Sequence, residues 1–291
     1  MDINYELYKV FYHVAVTLSF SEASKQLFIS QSAVSQSIKV LEKKLKQPLF
    51  IRSTKKVQLT PEGEILLKHI EPAMNLIKQG ENQLLEANTL NGGQLRIGAS
   101  DTICRYYLIP YLKEFHRKYP NVHIKVTNQT SIACAKLLES GQVDFAITNY
   151  PNSGLSNTQN VRIIHEFHDV FAANDEYGSL RGKTVTLKEL QTCPILMLDR
   201  KSTTSEFLHS MFQRHQLDLV PEIELSSNEL LIDLARIGLG IAFVPDYCIP
   251  ENDPDLFIVH LEEQLPARQM VVAYNENIPL SQAARQFIDM L

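Results

Sequence analysis

Leu7, Phe11, Val14 and Leu18 recur at i, i+4, i+7 and i+11, the spacing of one buried helix face. Ser21 is expected to cap a second, short helix in which Ala23 and Leu27 point one way, and Ser30 to cap a third that opens at Gln31. Winding residues 31–46 at about 100° per step places Val34, Ile38, Leu41 and Leu45 on one side, with Ser32, Ser35, Gln36, Lys39 and Lys43 opposite. Two extended runs follow, Leu49 to Arg52 and Val57 to Leu59, around a tip of Ser53, Thr54, Lys55 and Lys56 that reads as a hairpin. From Pro61 to about Asn88 the pattern is helical again, with Leu66, Ile70, Ala73, Ile77 and Leu84 forming a narrow apolar seam. Such a helix is poorly stable alone and is expected to pair with a second copy of the chain, with a kink or weak turn near Pro72.

Asn91-Gly92-Gly93 marks a boundary, after which strand and helix patterns alternate. GQLRIGAS, VHIKVTNQT and SGQVDFAIT read as strands separated by helices, and a similar succession restarts after His165 through CPILML, PEIELSS and GLGIAFVP. That alternation predicts two α/β lobes with right-handed crossovers, joined near residues 161 to 165, with a cleft between them. The expected boundaries are residues 1–60 for the N-terminal domain, 61–90 for the linker helix and 91–291 for the rest. Within the last, one lobe takes about 91–161 and 266–291 and the other about 162–265.

Charge changes the picture only in the first domain. The net charge of the 291 residues is -5, yet residues 21–60 carry eight basic side chains against Glu22 and Glu42, a local +6 that leaves -11 for the remaining 251. A basic block on an acidic chain calls for an anionic partner for that block alone. A merely solvated helix would favour Glu, Lys and Ala over the short hydroxyls at the start of the third helix. Hydroxyls and carboxamides allow close approach to a major groove, so Gln31, Ser32, Ser35 and Gln36 are candidate base-reading residues of double-stranded DNA, with Lys39, Arg52, Lys55 and Lys56 placed for phosphates.

SFSEASKQLFISQSAVSQSIKVLEKKLKQPLFIRSTKKVQLTPEG resembles the winged helix-turn-helix of LysR-type transcriptional regulators over some 45 positions, including Ala23, Leu27, Gln31, Ser35, Ile38, Leu41, Glu42, Arg52 and Thr60. LLESGQVDFAI and ARIGLGIAFVP resemble, more loosely, the effector-binding domain of the same family, which is similar to periplasmic binding proteins. The resemblance implies an α+β multidomain fold: an N-terminal winged helix-turn-helix, a long linker helix and a C-terminal two-lobed α/β effector domain. It implies a homodimer or dimer of dimers, and regulation by a small-molecule effector. Two positions depart from the family pattern. Lys46 stands where glycine is usual, which would strain a left-handed C-cap. Gln36 stands where many members carry Arg, so a guanine contact is not expected at that step.

Ligands of open α/β sheets bind beyond the carboxyl ends of the strands. Those ends here carry Ser100-Asp101-Thr102, Asn128-Gln129-Thr130, Thr148-Asn149 and Ser202-Thr203-Thr204, several of them opening a helix that favours an anion. Matched to the family pattern, Ser100, Thr102, Thr130, Thr148, Ser202 and Thr203 are the candidate effector-binding residues, for a small polar or anionic ligand. Asp101 argues against an anion unless Arg105 or Lys201 offsets it. The competing reading is an enzyme with a fused DNA-binding domain acting on a small polar metabolite. No nucleophile with its base, phosphate loop or HExxH order supports it, and no catalytic residue, cofactor or metal is expected. His165 and His168 read as exposed or hinge residues, and the four scattered cysteines as reduced packing residues. With no export signal and no membrane-spanning apolar run, the expected location is the cytoplasm, without a membrane partner.

Overall fold

Phe11 is fully buried, its ring centroid 5.5 Å from that of Phe50, and the N-terminal unit is built around this pair. The computed structural model describes residues 3–52, 56–87, 93–156, 159–250 and 253–291. The chain divides into two compact units, Met1–Asn88 with Ser140–Gln142, and Thr89–Glu139 with Val143–Leu291.

In the first unit α1 (Tyr5–Thr17), α2 (Phe20–Leu27) and α3 (Gln31–Leu45) are followed by an antiparallel pair, β1 (Phe50–Arg52) and β2 (Val57–Leu59), and by α4 (Pro61–Ala87). Val34, Ile38 and Leu41 of α3 are fully buried, as the periodicity predicts. The cap of α2 is Ser19 and not Ser21: its hydroxyl accepts from the Glu22 N–H at 3.2 Å. Phe20 must sit inside the helix to reach the core, which moves the start two residues earlier. Leu18 ends α1 in a left-handed conformation and is 47% exposed, so it does not share the buried face. Lys46 does take the left-handed C-cap, at φ +58°, with its own N–H and that of Gln47 both returning to the Glu42 carbonyl. The Glu42 carboxylate in turn accepts from the Leu49 and Phe50 N–H groups, at 2.9 and 3.3 Å, and so fixes where β1 starts. Gly63 lets α4 approach the hairpin, since a Cβ there would lie 2.2 Å from the Leu49 carbonyl oxygen. Along α4, which runs unbroken through Pro72, Leu66, Leu67 and Ile70 join the core, whereas Ala73, Ile77 and Leu84 are exposed.

The second unit holds two sheets. The first is filled by β3 (Gly93–Ala99), β4 (Val122–Asn128), β5 (Phe145–Tyr150) and β6 (Gln159–Phe167), interleaved with α5 (Asp101–Ile103), α6 (Ile109–Lys118) and α7 (Ser131–Glu139). A π-helical turn, Cys104–Leu108, joins α5 to α6. The second holds β7 (Asp169–Ala173), β8 (Thr184–Val185), α8 (Leu187–Leu190), β9 (Ile195–Leu198), α9 (Thr203–Arg214), β10 (Ile223–Leu225), α10 (Asn228–Arg236), β11 (Ile241–Pro245) and β12 (Phe257–Leu261). The chain then returns to the first sheet as β13 (Arg268–Asn275) and ends in α11 (Gln282–Ile288). Strand orders are β4-β3-β5-β13-β6 and β10-β9-β11-β7-β12-β8. Pairs β3/β4, β3/β5, β9/β10 and β9/β11 are parallel, and the returning strand pairs antiparallel with both β5 and β6. Residues 162–167, expected in the second lobe, pair with β13 in the first, because the strand continues until Phe167 is buried. The passage between sheets falls at exposed His168. Both sheets are covered on both faces: Ile97, Phe145 and Phe287 fill one side of the first and Cys134, Leu138 and Ala273 the other. Phe171, Met197 and Phe243 against Ala172, Leu196 and Val244 do the same in the second.

Candidate functional sites

The outer side of α3 is the first site. Ser30 caps the helix by accepting from the Ala33 N–H at 3.2 Å, and its hydroxyl lies 2.9 Å from that of Ser32. Gln31, Ser32, Gln36, Lys39 and Lys56 are exposed and Ser35 is half-buried. Gln31, Gln36 and Lys39 make no side-chain hydrogen bond among the described residues. Their polar groups are therefore available to a partner, while the opposite side of the helix is locked into the core. Lys55 and the side chain of Arg52 lie outside the described residues. Phe28, 95% exposed, forms the left-handed turn just before this helix.

The second site is a cavity of about 240 Å³ between the two sheets of the second unit. Four helices begin at its wall, each capped by a hydroxyl. Ser100 accepts from the Ile103 N–H at 3.3 Å, Thr130 from Ala133 at 3.3 Å, Ser202 from Ser205 at 3.0 Å and Ser227 from Leu230 at 3.3 Å. Each hydroxyl accepts from its own helix; among the described residues those of Ser100, Thr130 and Ser202 keep an O–H donor to offer a ligand, whereas that of Ser227 donates to the Glu229 carboxylate at 3.1 Å. The cavity is bridged directly where the Asn228 amide donates to the Thr102 hydroxyl at 2.9 Å. Of the expected residues Ser100, Thr102, Thr130, Ser202 and Thr203 line the cavity. Thr148 does not; it is fully buried, and its neighbour Asn149 lines the wall instead. Alternation along β5 puts the two side chains on opposite faces. A larger hollow of about 840 Å³ shares Thr203, but none of the four capping residues lines it.

Behind this wall, Arg268 and Asp169, 2% exposed each, pair at 2.7 Å, and the same Arg268 nitrogen donates to Thr204 at 3.1 Å. They stand at the starts of β13 and β7, the two strands by which the chain passes between sheets. Burial pushes the Asp169 carboxyl upward against the pull of Arg268. Burial also pushes the Cys104 thiol up to about 11 and the Cys134 thiol up to about 12, which suppresses the reactive thiolate. Among the described residues no cluster of His, Cys, Asp and Glu is fit to hold a metal, and no helix is long and apolar enough to cross a membrane.

Residues 5–64 match the family described as bacterial regulatory helix-turn-helix protein, lysR family, and residues 88–291 match the LysR substrate binding domain. The chain belongs to the LysR family of transcriptional regulators. It is 30% identical over 277 residues to a probable RuBisCO transcriptional regulator of Gracilaria tenuistipitata var. liui, covering 92% of this chain and 89% of that protein. Its fold is similar to full-length OxyR C199D of Pseudomonas aeruginosa, with a TM-score of 0.73 at 19% identity over 99% of this chain and 94% of the other. The CcmR regulatory domain of Synechocystis PCC6803 in complex with 2-PG matches with a TM-score of 0.62 at 23% identity, over 68% of this chain and 95% of that domain. As a LysR-family member the chain is a DNA-binding regulator with an effector-binding domain, and not an enzyme.

Within that LysR architecture, Ser131, Asp199, Ser227 and Asn228 on the cavity wall are not among the residues the sequence marks. The signal that marked the other walls was present for two of them, since Ser226-Ser227-Asn228 follows β10 and opens α10 in the same way.

Proposed function

We propose that this regulator reads a dyad-related DNA site as a dimer, or a dimer of dimers, through α3 and the β1/β2 wing. It acts in the cytoplasm and senses a small polar or anionic metabolite in the cavity between its lobes. Gln31, Ser32, Ser35 and Gln36 meet base edges, and Lys39, Arg52, Lys55 and Lys56 neutralise phosphates. The wing and helix-turn-helix form one module over residues 1–60, joined by a linker over residues 61–90 to an effector domain over 91–291. The effector contacts are Ser100, Thr102, Thr130, Ser202 and Thr203, with Asn149 in place of Thr148. The observation that carries the effector reading is the convergence of four capped helix N-termini on one cavity at the strand ends. The CcmR regulatory domain, of similar fold, holds 2-PG, which supports a small-molecule occupant. A ligand that prefers one arrangement of the lobes shifts the balance between states of the regulator by its differential affinity.

The DNA half is tested by gel-shift titration on a selected site and on random duplex. Gln36→Ala is expected to lose about 1–3 kcal/mol on the selected site alone. Lys56→Ala is expected to weaken both duplexes alike and to flatten the salt dependence by about one ion. Equal loss on both duplexes for Gln36→Ala rejects its assignment as a base reader.

A further inference from the structure

Resting on the effector reading of the cavity, we infer that the ligand is a small zwitterion of the α-amino acid type, with its carboxylate at the helix N-termini and its ammonium among the cavity's acidic and carbonyl oxygens. The anion end follows from α7, α9 and α10, of nine, twelve and nine residues, which open at Ser131, Thr203 and Asn228 on the cavity wall. Their first-turn N–H groups and positive dipole ends favour negative charge there.

A ligand that is only an anion does not fit the rest of the wall. Among the described residues no Lys, Arg or His lines the cavity, and its charged residues are Asp101 and Asp199. The basic residues expected to offset them do not: Arg105 lies 3.8 Å from the Glu229 carboxylate, and neither it nor exposed Lys201 is on the wall. Arg268 stands behind Thr204 with its charge matched by Asp169. One oxygen of each wall carboxylate is held by protein, Asp101 by the Asn128 amide at 2.9 Å and Asp199 by the Lys201 N–H at 3.0 Å.

The independent observation is a pair of buried acceptors. The side-chain carbonyl oxygens of Asn149, 7% exposed, and Asn228, 3% exposed, have no hydrogen-bond partner among the described residues, and both residues line the cavity. The amide nitrogen of Asn228 donates to Thr102, which leaves its carbonyl as the face without a partner among the described residues. Buried acceptors left bare are costly, so the natural occupant brings hydrogen-bond donors. A simple carboxylate has none. A 2-hydroxy acid has one but leaves the wall carboxylates uncompensated. An ammonium supplies three donors and the missing positive charge.

The test is isothermal titration calorimetry on the full-length protein with the twenty proteinogenic L-α-amino acids, each against its 2-hydroxy and its deaminated carboxylic acid. At least one amino acid is expected to bind saturably, tenfold or more tighter than its hydroxy acid and about a hundredfold tighter than its deaminated acid. Asp199→Asn and, separately, Asn149→Leu are each expected to weaken it at least tenfold, with unchanged thermal melting of the free protein as the check on folding. No binding by any amino acid at 10 mM, or a deaminated acid that binds as tightly as its parent, overturns the inference. If such an acid binds and Ser131→Ala with Thr203→Val abolishes it, the cavity remains the effector site and only the zwitterion is lost. Binding that survives those substitutions removes the cavity reading as well.

Discussion

Lys46 holds the left-handed position that closes α3 at the expense of a Cβ clash that glycine would not suffer. Glycine relieves about 1–2 kcal/mol of that conformational cost but adds about 0.5–1 kcal/mol of chain entropy to be lost on folding. Lys46→Gly is therefore expected to raise stability by roughly 0.5–1 kcal/mol, read as a higher urea midpoint with an unchanged slope. At this scale the sequence was most legible where one side of an element faces solvent. Val34, Ile38 and Leu41 could be separated from Gln36 and Lys39 because burial follows the helical period. Thr148 and Asn149 could not be separated in that way. Phe145 to Asn149 are all buried, so β5 shows no alternation from which to tell the cavity-facing side chain from the core-facing one.

Between elements, the pair that matters most is Arg268 with Asp169, because it ties together the two strands on which the chain passes between sheets. It is incompletely satisfied: among the described residues the second Asp169 oxygen and two Arg268 nitrogens have no hydrogen-bond partner. Removing one partner leaves an uncompensated buried charge, so Arg268→Met is expected to cost about 3–5 kcal/mol in urea unfolding. Adding Asp169→Leu to it is expected to recover most of that loss, since an apolar pair of similar volume carries no desolvation penalty. A double variant no more stable than the single one rejects this account. None of this was legible beforehand. Arg268 and Asp169 are 99 positions apart, and local periodicity carries no information about which distant residues meet. Boundaries that rest on local chemistry are closer to legible: Ser30 caps α3 as its sequence predicts, and the cap of α2 falls two residues before the expected one because two serines flank Phe20.

At the level of the whole molecule, the linker helix is where the proposed self-association is tested. Ile65, Leu76 and Ile77 are 61%, 38% and 45% exposed along α4, too much apolar surface for one helix to leave in water. Sedimentation equilibrium is expected to give a dimer or larger for the native chain, and a shift toward monomer for Leu76→Glu with Ile77→Glu. A native monomer at 10 μM rejects the linker as the dimer contact. The two-sheet organisation was legible because strand and helix patterns repeat. The cavity was legible in part because hydroxyls cluster at strand ends, although the same hydroxyls serve as caps.

The position of β13 bears on how the protein is made. It is the inner strand between β5 and β6, yet it follows every other strand of both sheets in chain order. Until it leaves the ribosome the first sheet is split, with two unpaired edges exposed to whatever nascent chain or chaperone is near. A message truncated before Arg268 would yield a head able to fold on its own core but a sensor unable to close its sheet. Such a product is expected to be degraded faster than the full chain, which a pulse-chase comparison of the two would read.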